Sequence, residues 1–298
     1  MNEKSKNISV IVAIVLMLFV GVFVAVKNRK APATMDDRIM VTTSFYPLYF
    51  LTTQIGGDLI NVQNLTPAGT EPHDYELTAQ DITKIRKSKL LVLNGGGLEI
   101  WGDKINMNVR GPVILSLANE LGDGKDPHIW LSPTLAIKIA ERVAIELIKI
   151  DPKNQLYYES NLSVLKTELI NLDNAYKMGL KSCQKKDFVT SHDAFGYLAQ
   201  GYGLNQVSIA GLSPDEEPSS KQLADVAKFA RDNQIKYIFF ESLVSPKLSE
   251  TIAREVGAQT LVLNPIEGLS EDELNQGKNY LTEMKNNLEN LKIALDCN

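Results

Sequence analysis

Cysteine and histidine are both scarce in this sequence. Its 298 residues contain two cysteines, Cys183 and Cys297, which lie far apart and have no neighbouring side chains suited to share a metal ion. This scarcity argues against a thiolate metal site. The two cysteines can form one disulfide in an oxidising compartment or remain as two unpaired thiols, and the sequence leaves both interpretations open.

Two motifs with well-defined chemistry are absent. No His-Glu-x-x-His sequence occurs, so the ligand spacing of common zinc peptidases is missing. The stretch Asn94-Gly95-Gly96-Gly97 is not followed by Gly-Lys-Ser/Thr, and a turn therefore explains its glycines better than a phosphate-binding loop. These absences argue against a zinc peptidase and against a nucleotide-binding protein.

An excess of basic residues is also absent. The formal net charge is −5, and the first 33 residues carry five positive charges and one negative, which leaves −9 on the remainder. An acidic body argues against binding to nucleic acid and favours the attraction of cations. With 44% apolar and 22% charged residues, the chain can bury a large core, and we expect two compact units of ordinary size.

One long apolar run is present, at residues 8–26. Its 19 uncharged residues would span about 29 Å as a helix, which matches the hydrocarbon thickness of a membrane and exceeds the core of an ordinary signal peptide. We therefore expect an uncleaved transmembrane helix, with a cleaved signal peptide ending at Ala31-Pro32-Ala33 as the alternative. No cysteine follows the run, which argues against a lipid anchor. Residues 1–38 are assigned to a cytoplasmic tip, a membrane anchor and a linker.

Short runs rich in Val, Ile and Leu alternate with helix-like segments in two parts of the chain. The first part has predicted strands at 39–43, 60–65, 90–93 and 113–115, with helices at 47–55 and 78–87 and a shorter one after the glycine turn. The second part has predicted strands at 188–191, 206–209, 237–241 and 261–263, with helices at 194–200, 219–232, 246–256 and 271–295. Alternation of this kind predicts parallel sheets. Each part is therefore expected to form one lobe of four βα units.

Two consecutive helices without an intervening strand separate these parts. They are predicted at residues 133–150 and from 152 to about 181, and the second, with roughly thirty residues, is too long for a crossover within one lobe. We interpret it as a rigid helix that joins the lobes. The predicted fold is thus α/β, with parallel-sheet (β/α)4 lobes at 39–150 and 186–298, one long connecting helix within 151–185, and an N-terminal transmembrane helix.

The chain contains three histidines, His73, His128 and His192, and each follows a predicted strand. Open parallel sheets bind ligands beyond the carboxyl ends of their strands, and neutral imidazole is a preferred ligand of borderline metals. Three distant imidazoles at such positions therefore predict one metal centre to which both lobes contribute. Glu267 follows the last predicted strand and is our predicted fourth ligand. Alternatives for that position are a water molecule, Glu71, Glu241 and Asn264.

Acidic residues close to the histidines in sequence suit the support of a metal site. A metal-bound imidazole usually donates its second ring N–H to a carboxylate, which fixes the orientation of the ring. The candidates for this role are Asp74, Asp126 and Asp193. The two tryptophans, Trp101 and Trp130, are interpreted as packing residues, with Trp130 a candidate to shape the crevice beside His128.

Four stretches of the chain resemble motifs of a known family. They are Thr70-Glu71-Pro72-His73-Asp74-Tyr75-Glu76, Asp126-Pro127-His128-Ile129-Trp130-Leu131-Ser132-Pro133, Ser191-His192-Asp193-Ala194-Phe195-Gly196-Tyr197-Leu198 and Leu263-Asn264-Pro265-Ile266-Glu267-Gly268-Leu269. In this order they are similar to the zinc- and manganese-binding solute-binding proteins of bacterial ABC importers, over most of the chain beyond the linker. The resemblance implies two (β/α)4 lobes joined by one long helix, a metal ion between them, small closing movements and delivery of the ion to a permease.

The resemblance also bears on the identity of the metal. It places the family's first two histidine ligands at His73 and His128, and the third position, where manganese binders tend to carry glutamate and zinc binders histidine, at His192. An aspartate of the manganese binders aligns near Asn264, whereas zinc binders use a glutamate like Glu267. Zn²⁺ is therefore expected, with Mn²⁺ as the alternative. The histidine-rich loop of many zinc-binding relatives is missing, because residues 119–125 contain no histidine.

The sequence thus predicts a monomeric, non-enzymatic protein at the extracytoplasmic face of the cell membrane, which captures a divalent metal for an ABC importer permease. A mononuclear zinc hydrolase is the alternative from another class, since three histidines and an open coordination position can activate water, with Glu71 or Glu241 as the base. A carboxylate as fourth ligand would close that position. Because metal binding requires neutral imidazoles, we expect affinity to fall as the pH drops through about 6.5.

Overall fold

Four parallel strands form the sheet of the first lobe. In the computed structural model, which describes residues 38–102, 104–105 and 109–298, they are β1 (Ile39–Thr43), β2 (Ile60–Asn64), β3 (Leu90–Leu93) and β4 (Val113–Ser116). Their order in the sheet is β2-β1-β3-β4, and Val41 of β1 pairs with Leu90 of β3. Every residue of β3 is buried, as expected for a strand in a parallel sheet that is covered on both faces.

The helices of the first lobe begin and end at residues suited to helix termini. They are α1 (Tyr46–Gly56), α2 (Ala79–Lys87) and α3 (Ala118–Leu121). α1 ends before Gly57, whose φ of +50° is accessible to glycine without the strain it causes in other residues. α2 begins after Thr78, whose side chain accepts a hydrogen bond from the Asp81 amide in a capping box. The helices predicted at 47–55 and 78–87 are thus present, and their ends are set by a glycine and by a threonine cap.

Two long helices follow the first sheet. α4 (Pro133–Ile150) has the predicted bounds and begins after Ser132, whose side chain accepts a hydrogen bond from the Leu135 amide. α5 (Gln155–Gly179) has 25 residues and therefore spans about 37 Å. It packs along α4 and α1. The connecting helix is thus part of the core of the first lobe as well as a link between lobes.

The predicted start of this long helix at residue 152 is wrong, whereas its observed end lies close to the predicted one at about residue 181. Pro152–Asn154 forms a separate 3₁₀ turn before α5, and the side-chain amide of Asn154 donates to the Asp151 carboxylate at 2.6 Å. This contact stabilises the 3₁₀ turn, which interrupts a segment that was predicted as continuous helix. The other end stops at Gly179, a residue with low helix propensity.

The second lobe repeats the topology of the first. Its strands are β5 (Asp187–Thr190), β6 (Asn205–Ser208), β7 (Tyr237–Phe240) and β8 (Gln259–Val262), and its helices are α6 (Gly196–Tyr202), α7 (Ser220–Asp232), α8 (Lys247–Val256), α9 (Glu271–Asn275) and α10 (Tyr280–Ala294). The sheet order is β6-β5-β7-β8, and all pairs are parallel. The predicted α/β fold with two parallel-sheet lobes is confirmed.

The C-terminal segment differs from the single helix predicted at 271–295. α9 and α10 are separate, and Gly277 between them has a φ of +79°, a left-handed conformation that ends helices. Asn279 then caps α10, because its side chain accepts a hydrogen bond from the Thr282 amide. Gly277 therefore ends the first helical segment and Asn279 begins the second, so residues 271–295 form two helices.

A disulfide joins Cys183, beyond the end of α5, to Cys297, beyond the end of α10. The flanking backbones pair as an antiparallel bridge, in which the Gln184 amide donates to the Asp296 carbonyl at 3.3 Å. This pairing brings together two cysteines that are 114 residues apart. Of the two interpretations left open by the sequence, the disulfide is confirmed and the pair of free thiols is wrong.

One apolar core extends through both lobes. It includes Phe45 and Trp130 of the first lobe, Tyr176 of α5, and Phe239 and Tyr280 of the second lobe. Protein cores are packed as tightly as organic crystals and resist partial separation. A core shared between the lobes therefore favours the small closing movements implied by the resemblance.

The predicted transmembrane helix at residues 8–26 lies outside the described residues. Ile39–Asn298 forms one compact unit. In the described ranges, none of the helices combines the length and the apolar character needed to cross a membrane.

Candidate metal centre

The three histidines lie in loops at the carboxyl ends of strands from both lobes. His73 follows β2, His128 follows β4 and directly precedes a 3₁₀ turn (Ile129–Leu131), and His192 lies two residues beyond β5. Their ring centroids are 5.1 to 6.1 Å apart. The prediction that three distant imidazoles converge is confirmed.

Glu267, in the loop after β8, completes the group. Its Oε1 lies 3.3 Å from Nε2 of His73, 3.3 Å from Nε2 of His128 and 3.5 Å from Nε2 of His192. The Nε2 atoms of His128 and His192 are 3.3 Å apart, and one possible ligand atom from each residue lies within 4.8 Å of the others. A tetrahedral zinc site with bonds of about 2.0–2.1 Å has edges of about 3.3–3.4 Å. The four measured separations therefore match the edges of such a site.

Burial removes all four side chains from water. His128 and His192 are fully buried, whereas Glu267 exposes 1% and His73 exposes 9% of its surface. Within the described residues, Nε2 of His73 and both carboxylate oxygens of Glu267 lack a hydrogen bond of normal geometry. Buried polar atoms almost always have partners. A cation at the centre of the group would satisfy these atoms, so the donor set fits a divalent metal.

The electrostatics of the group favour positive charge. Burial would raise the pKa of the Glu267 carboxyl, but the charge of His192 and contacts with all three imidazoles hold that pKa well below its usual range. Burial would lower the pKa of His192, but the carboxylates of Glu241 and Glu267 raise it well above its usual value. The pKa of His128 is raised in the same way, against burial, by Asp126 and Glu267. Protons and a metal cation therefore compete for the same nitrogens.

Two carboxylates support the histidine rings from behind. Oδ1 of Asp126 lies 2.7 Å from Nδ1 of His128, and Oε1 of Glu241 lies 2.6 Å from Nδ1 of His192. Each contact turns the Nε2 atom of its ring toward Glu267. The supporting contact predicted for Asp126 is confirmed. Glu241, predicted as an alternative ligand, instead supports the ring of a histidine.

The other two aspartates predicted to support the rings, Asp74 and Asp193, form no hydrogen bond with an imidazole in the described residues. The carboxylates that contact ring nitrogens at hydrogen-bond distance on the outer side of the site are those of Asp126 and Glu241. Closeness in sequence therefore identified one supporting carboxylate of three.

Glu71 and Asn264 are the remaining protein alternatives for the fourth ligand, and Glu71 lies outside the four-residue group of histidines and Glu267. Oε1 of Glu71 accepts a hydrogen bond from the His73 backbone amide at 3.2 Å. Burial and then the charge of Glu267 raise the pKa of the Glu71 carboxyl well above its usual range. Oδ1 of Asn264 accepts from the Ile266 amide at 2.7 Å, which shapes the loop that carries Glu267.

One contact near the site was not predicted from the sequence. The indole N–H of Trp130 donates to the backbone carbonyl of Pro265 at 2.7 Å, although the two residues are 135 apart in sequence. The sequence does indicate that Trp130 needs a hydrogen-bond acceptor near the site, because a buried indole N–H usually finds one and Trp130 follows His128 by two residues. The identity of that acceptor depends on the tertiary fold and has no local pattern.

The fold and the site together define the class of the protein. It is a two-lobed α/β protein whose candidate metal centre, three histidines and a glutamate, is buried between the lobes. Residues 41–294 match the family described as "ZnuA: Zinc-uptake complex component A periplasmic". The chain belongs to this family.

Individual relatives agree with this assignment. The chain is 38% identical to the "High-affinity zinc uptake system protein ZnuA" of Bacillus subtilis (strain 168), and the similarity covers 99% of each chain. It is also 38% identical to the "Zinc-binding lipoprotein AdcA" of Streptococcus pneumoniae (strain ATCC BAA-255 / R6), over 98% of this chain and 61% of the relative. The crystal structure of the Zn(II)-bound ZnuA-like domain of Streptococcus pneumoniae AdcA superposes with a TM-score of 0.77 at 39% identity, covering 87% of this chain and 99% of that domain.

Proposed function

We propose that this chain captures Zn²⁺ outside the cytoplasm and delivers it to the membrane permease of an ABC importer. The proposal is carried by the buried meeting of three imidazoles and one carboxylate in a member of a zinc-uptake family. It is supported by relatives named for high-affinity zinc uptake and for zinc binding, each 38% identical to this chain.

In this proposal His73, His128 and His192 bind the ion through Nε2, and Glu267 binds it through one carboxylate oxygen. Three neutral nitrogens and one anionic oxygen suit Zn²⁺ in four-coordinate geometry, whereas Mn²⁺ favours more oxygen ligands and a higher coordination number. We therefore expect Mn²⁺ to bind more weakly. Glu267 would also occupy the position that catalytic zinc sites leave open for water, so the ion is proposed as cargo and no enzymatic role is proposed.

Competitive zinc titration of residues 35–298, which include the compact unit, tests the ligand set. For Glu267→Ala we expect zinc affinity to fall by a factor of 10 or more, which corresponds to at least about 1.4 kcal/mol. Glu168→Ala, on the exposed side of α5, is the matched control and should keep the affinity of the wild type. Equal affinities for the two variants would remove Glu267 from the ligand set.

We further propose that residues 8–26 anchor the protein, as a monomer, to the extracytoplasmic face of the membrane. The proposed organisation assigns residues 1–38 to a tip, anchor and linker, 39–150 and 186–298 to the metal-binding lobes, and 151–185 to the connection. Membrane fractionation of cells that express the full chain or residues 35–298 tests this arrangement. The full chain should sediment with membranes and the shorter one should not, while a mature N-terminus just after residue 33 would indicate a cleaved signal peptide instead.

A further inference from the structure

Trp130 connects the two lobes directly behind the candidate metal centre. Its side chain is fully buried, and its indole N–H donates to the Pro265 carbonyl at 2.7 Å. Trp130 follows His128 by two residues, and Pro265 precedes Glu267 by two. One hydrogen bond therefore links the chain segment of a first-lobe histidine to the chain segment of the second-lobe carboxylate.

The position of the indole ring is set by its neighbours. The ring packs edge-on against Phe45, with centroids 4.7 Å apart, and lies 5.2 Å from the ring of His128. The hydroxyl of Tyr280, at the start of α10, donates to the backbone carbonyl of Trp130, and the Tyr280 ring stacks on Phe50 of α1 at 5.7 Å. The donor that reaches Pro265 is thus held from both lobes.

The loop that receives this hydrogen bond is strained. Ile266, between Pro265 and Glu267, has a φ of +57°, a left-handed conformation that is rare for a β-branched residue. Such a conformation persists when surrounding contacts impose it. Here the contacts are the side chain of Asn264, which accepts from the Ile266 amide at 2.7 Å, and the indole of Trp130.

We propose that Trp130 is a positioning residue for metal binding, which acts by holding the Pro265 carbonyl and thereby keeping the Glu267 carboxylate directed at the three Nε2 atoms. This inference rests on the proposed function, because it takes Glu267 as a ligand. Without the indole N–H, the strained turn at Ile266 is free to relax and Oε1 of Glu267 leaves its place beside the imidazoles. The site then retains three nitrogen ligands and loses the carboxylate.

The test compares Trp130→Phe with Trp101→Phe in the full-length chain purified in detergent. The two substitutions are chemically identical and both residues are buried, but the Trp101 indole nitrogen has no hydrogen-bond acceptor in the described part of the chain. Loss of a contact that orients a ligand typically costs about 10–100-fold in metal affinity. We expect that loss of Zn²⁺ affinity for Trp130→Phe and wild-type affinity for Trp101→Phe.

Two further measurements separate positioning from general destabilisation. In a Glu267→Ala background, Trp130→Phe should cause no additional loss of Zn²⁺ affinity, because the side chain that it positions is gone. With Co²⁺ in place of Zn²⁺, the visible absorption bands of Trp130→Phe should match those of Glu267→Ala and differ from those of the wild type and Trp101→Phe. Tyr280→Phe, which loosens Trp130 and leaves its indole intact, should shift affinity in the same direction by a smaller factor.

The outcomes distinguish this inference from the proposed function. If the wild-type chain binds no Zn²⁺, the proposed function fails. If it binds Zn²⁺ and Trp130→Phe equals Trp101→Phe in affinity and in its Co²⁺ spectrum, the positioning role is overturned and the proposed function stands. An equal loss of affinity from Trp130→Phe with and without Glu267 would also overturn it. If Trp130→Phe does not fold, wild-type affinity in a folded Tyr280→Phe variant counts against the role and reduced affinity supports it.

Discussion

Asp126 shows how one side chain outside the proposed ligand set can tune a metal site. Its carboxylate lies 2.7 Å from Nδ1 of His128 and accepts a hydrogen bond from Nδ1–H when the imidazole is neutral. Nε2 of that ring is then unprotonated and directed toward the centre of the site. For Asp126→Ala we expect a loss of zinc affinity of about 10–100-fold. Asp225→Ala, which removes a carboxylate paired with Lys221 on the exposed face of α7, should leave affinity unchanged. Competitive titration of the two variants measures the difference.

The pKa directions in the site set the sign of its pH dependence. The pKa values of His128 and His192 are raised above the ordinary histidine value, so these imidazoles stay protonated to a higher pH in the metal-free protein and a binding cation must displace their protons. Zinc affinity should therefore rise with pH and continue to rise above about 6.5, the usual histidine pKa. Titrations between about pH 5.5 and 8.5 test this, and a constant affinity over that interval would contradict a three-imidazole site.

At the scale of secondary-structure elements, the disulfide holds the end of α10 to the end of α5. A cross-link that closes a loop of 114 residues limits the unfolded chain, and native disulfides typically contribute about 2–4 kcal/mol. Replacing Cys183 and Cys297 by serine should lower the free energy of unfolding by about that amount, as measured by urea denaturation without reductant. Zinc affinity should change little in the folded protein. Equal unfolding midpoints would show that α10 is held by its packing alone.

The long helix α5 offers a matched pair of leucines. Leu169 is fully buried, whereas Leu156 is 82% exposed. Leu169→Ala should destabilise the protein by about 2–5 kcal/mol, because it removes packed methyl groups and leaves a cavity. Leu156→Ala should change stability by less than about 0.5 kcal/mol. Thermal and urea unfolding of both variants measure this difference, and similar losses would mean that α5 is not packed as described.

The position of most helices and strands could be predicted from local sequence, whereas contacts between distant residues could not. The buried run of β3, the Thr78 cap and the bounds of α4 are encoded by neighbouring residues. The break between α9 and α10 has a local signal in Gly277, whose φ is +79°, although residues 271–295 were predicted as one helix. The pairing of Cys183 with Cys297 and of Trp130 with Pro265 joins residues more than a hundred positions apart, and no local pattern specifies such a partner.

At the scale of the whole molecule, the lobes share one apolar core and are expected to unfold together. Zinc, if it binds the native state alone, should stabilise the protein by about 2.7 kcal/mol when its free concentration is 100 times the dissociation constant. Calorimetry should show one transition for Ile39–Asn298 that moves upward as zinc is added. Two separate transitions, of which zinc shifts one, would indicate lobes that are energetically independent.

The positions of the four residues of the candidate metal centre follow from the topology of the two sheets. Three histidines at strand ends could be brought together by general rules for parallel sheets, and Glu267 by its place after the last strand. The role of Glu241 behind His192 could not, because it depends on how the end of β7 meets the loop after β5. Rules of topology locate a site, whereas the partners of its side chains depend on packing.

The contact between Trp130 and His128 gives the protein a built-in optical probe. The chain has two tryptophans, of which Trp101 lies in a separate apolar cluster of the first lobe, and Trp130 lies 5.2 Å from an imidazole of the centre. Indole fluorescence is quenched by a neighbouring protonated imidazole and changes when that ring exchanges its proton for a metal. A chain with phenylalanine in place of Trp101 would therefore emit from one indole alone, and its brightness would follow occupancy without any added dye.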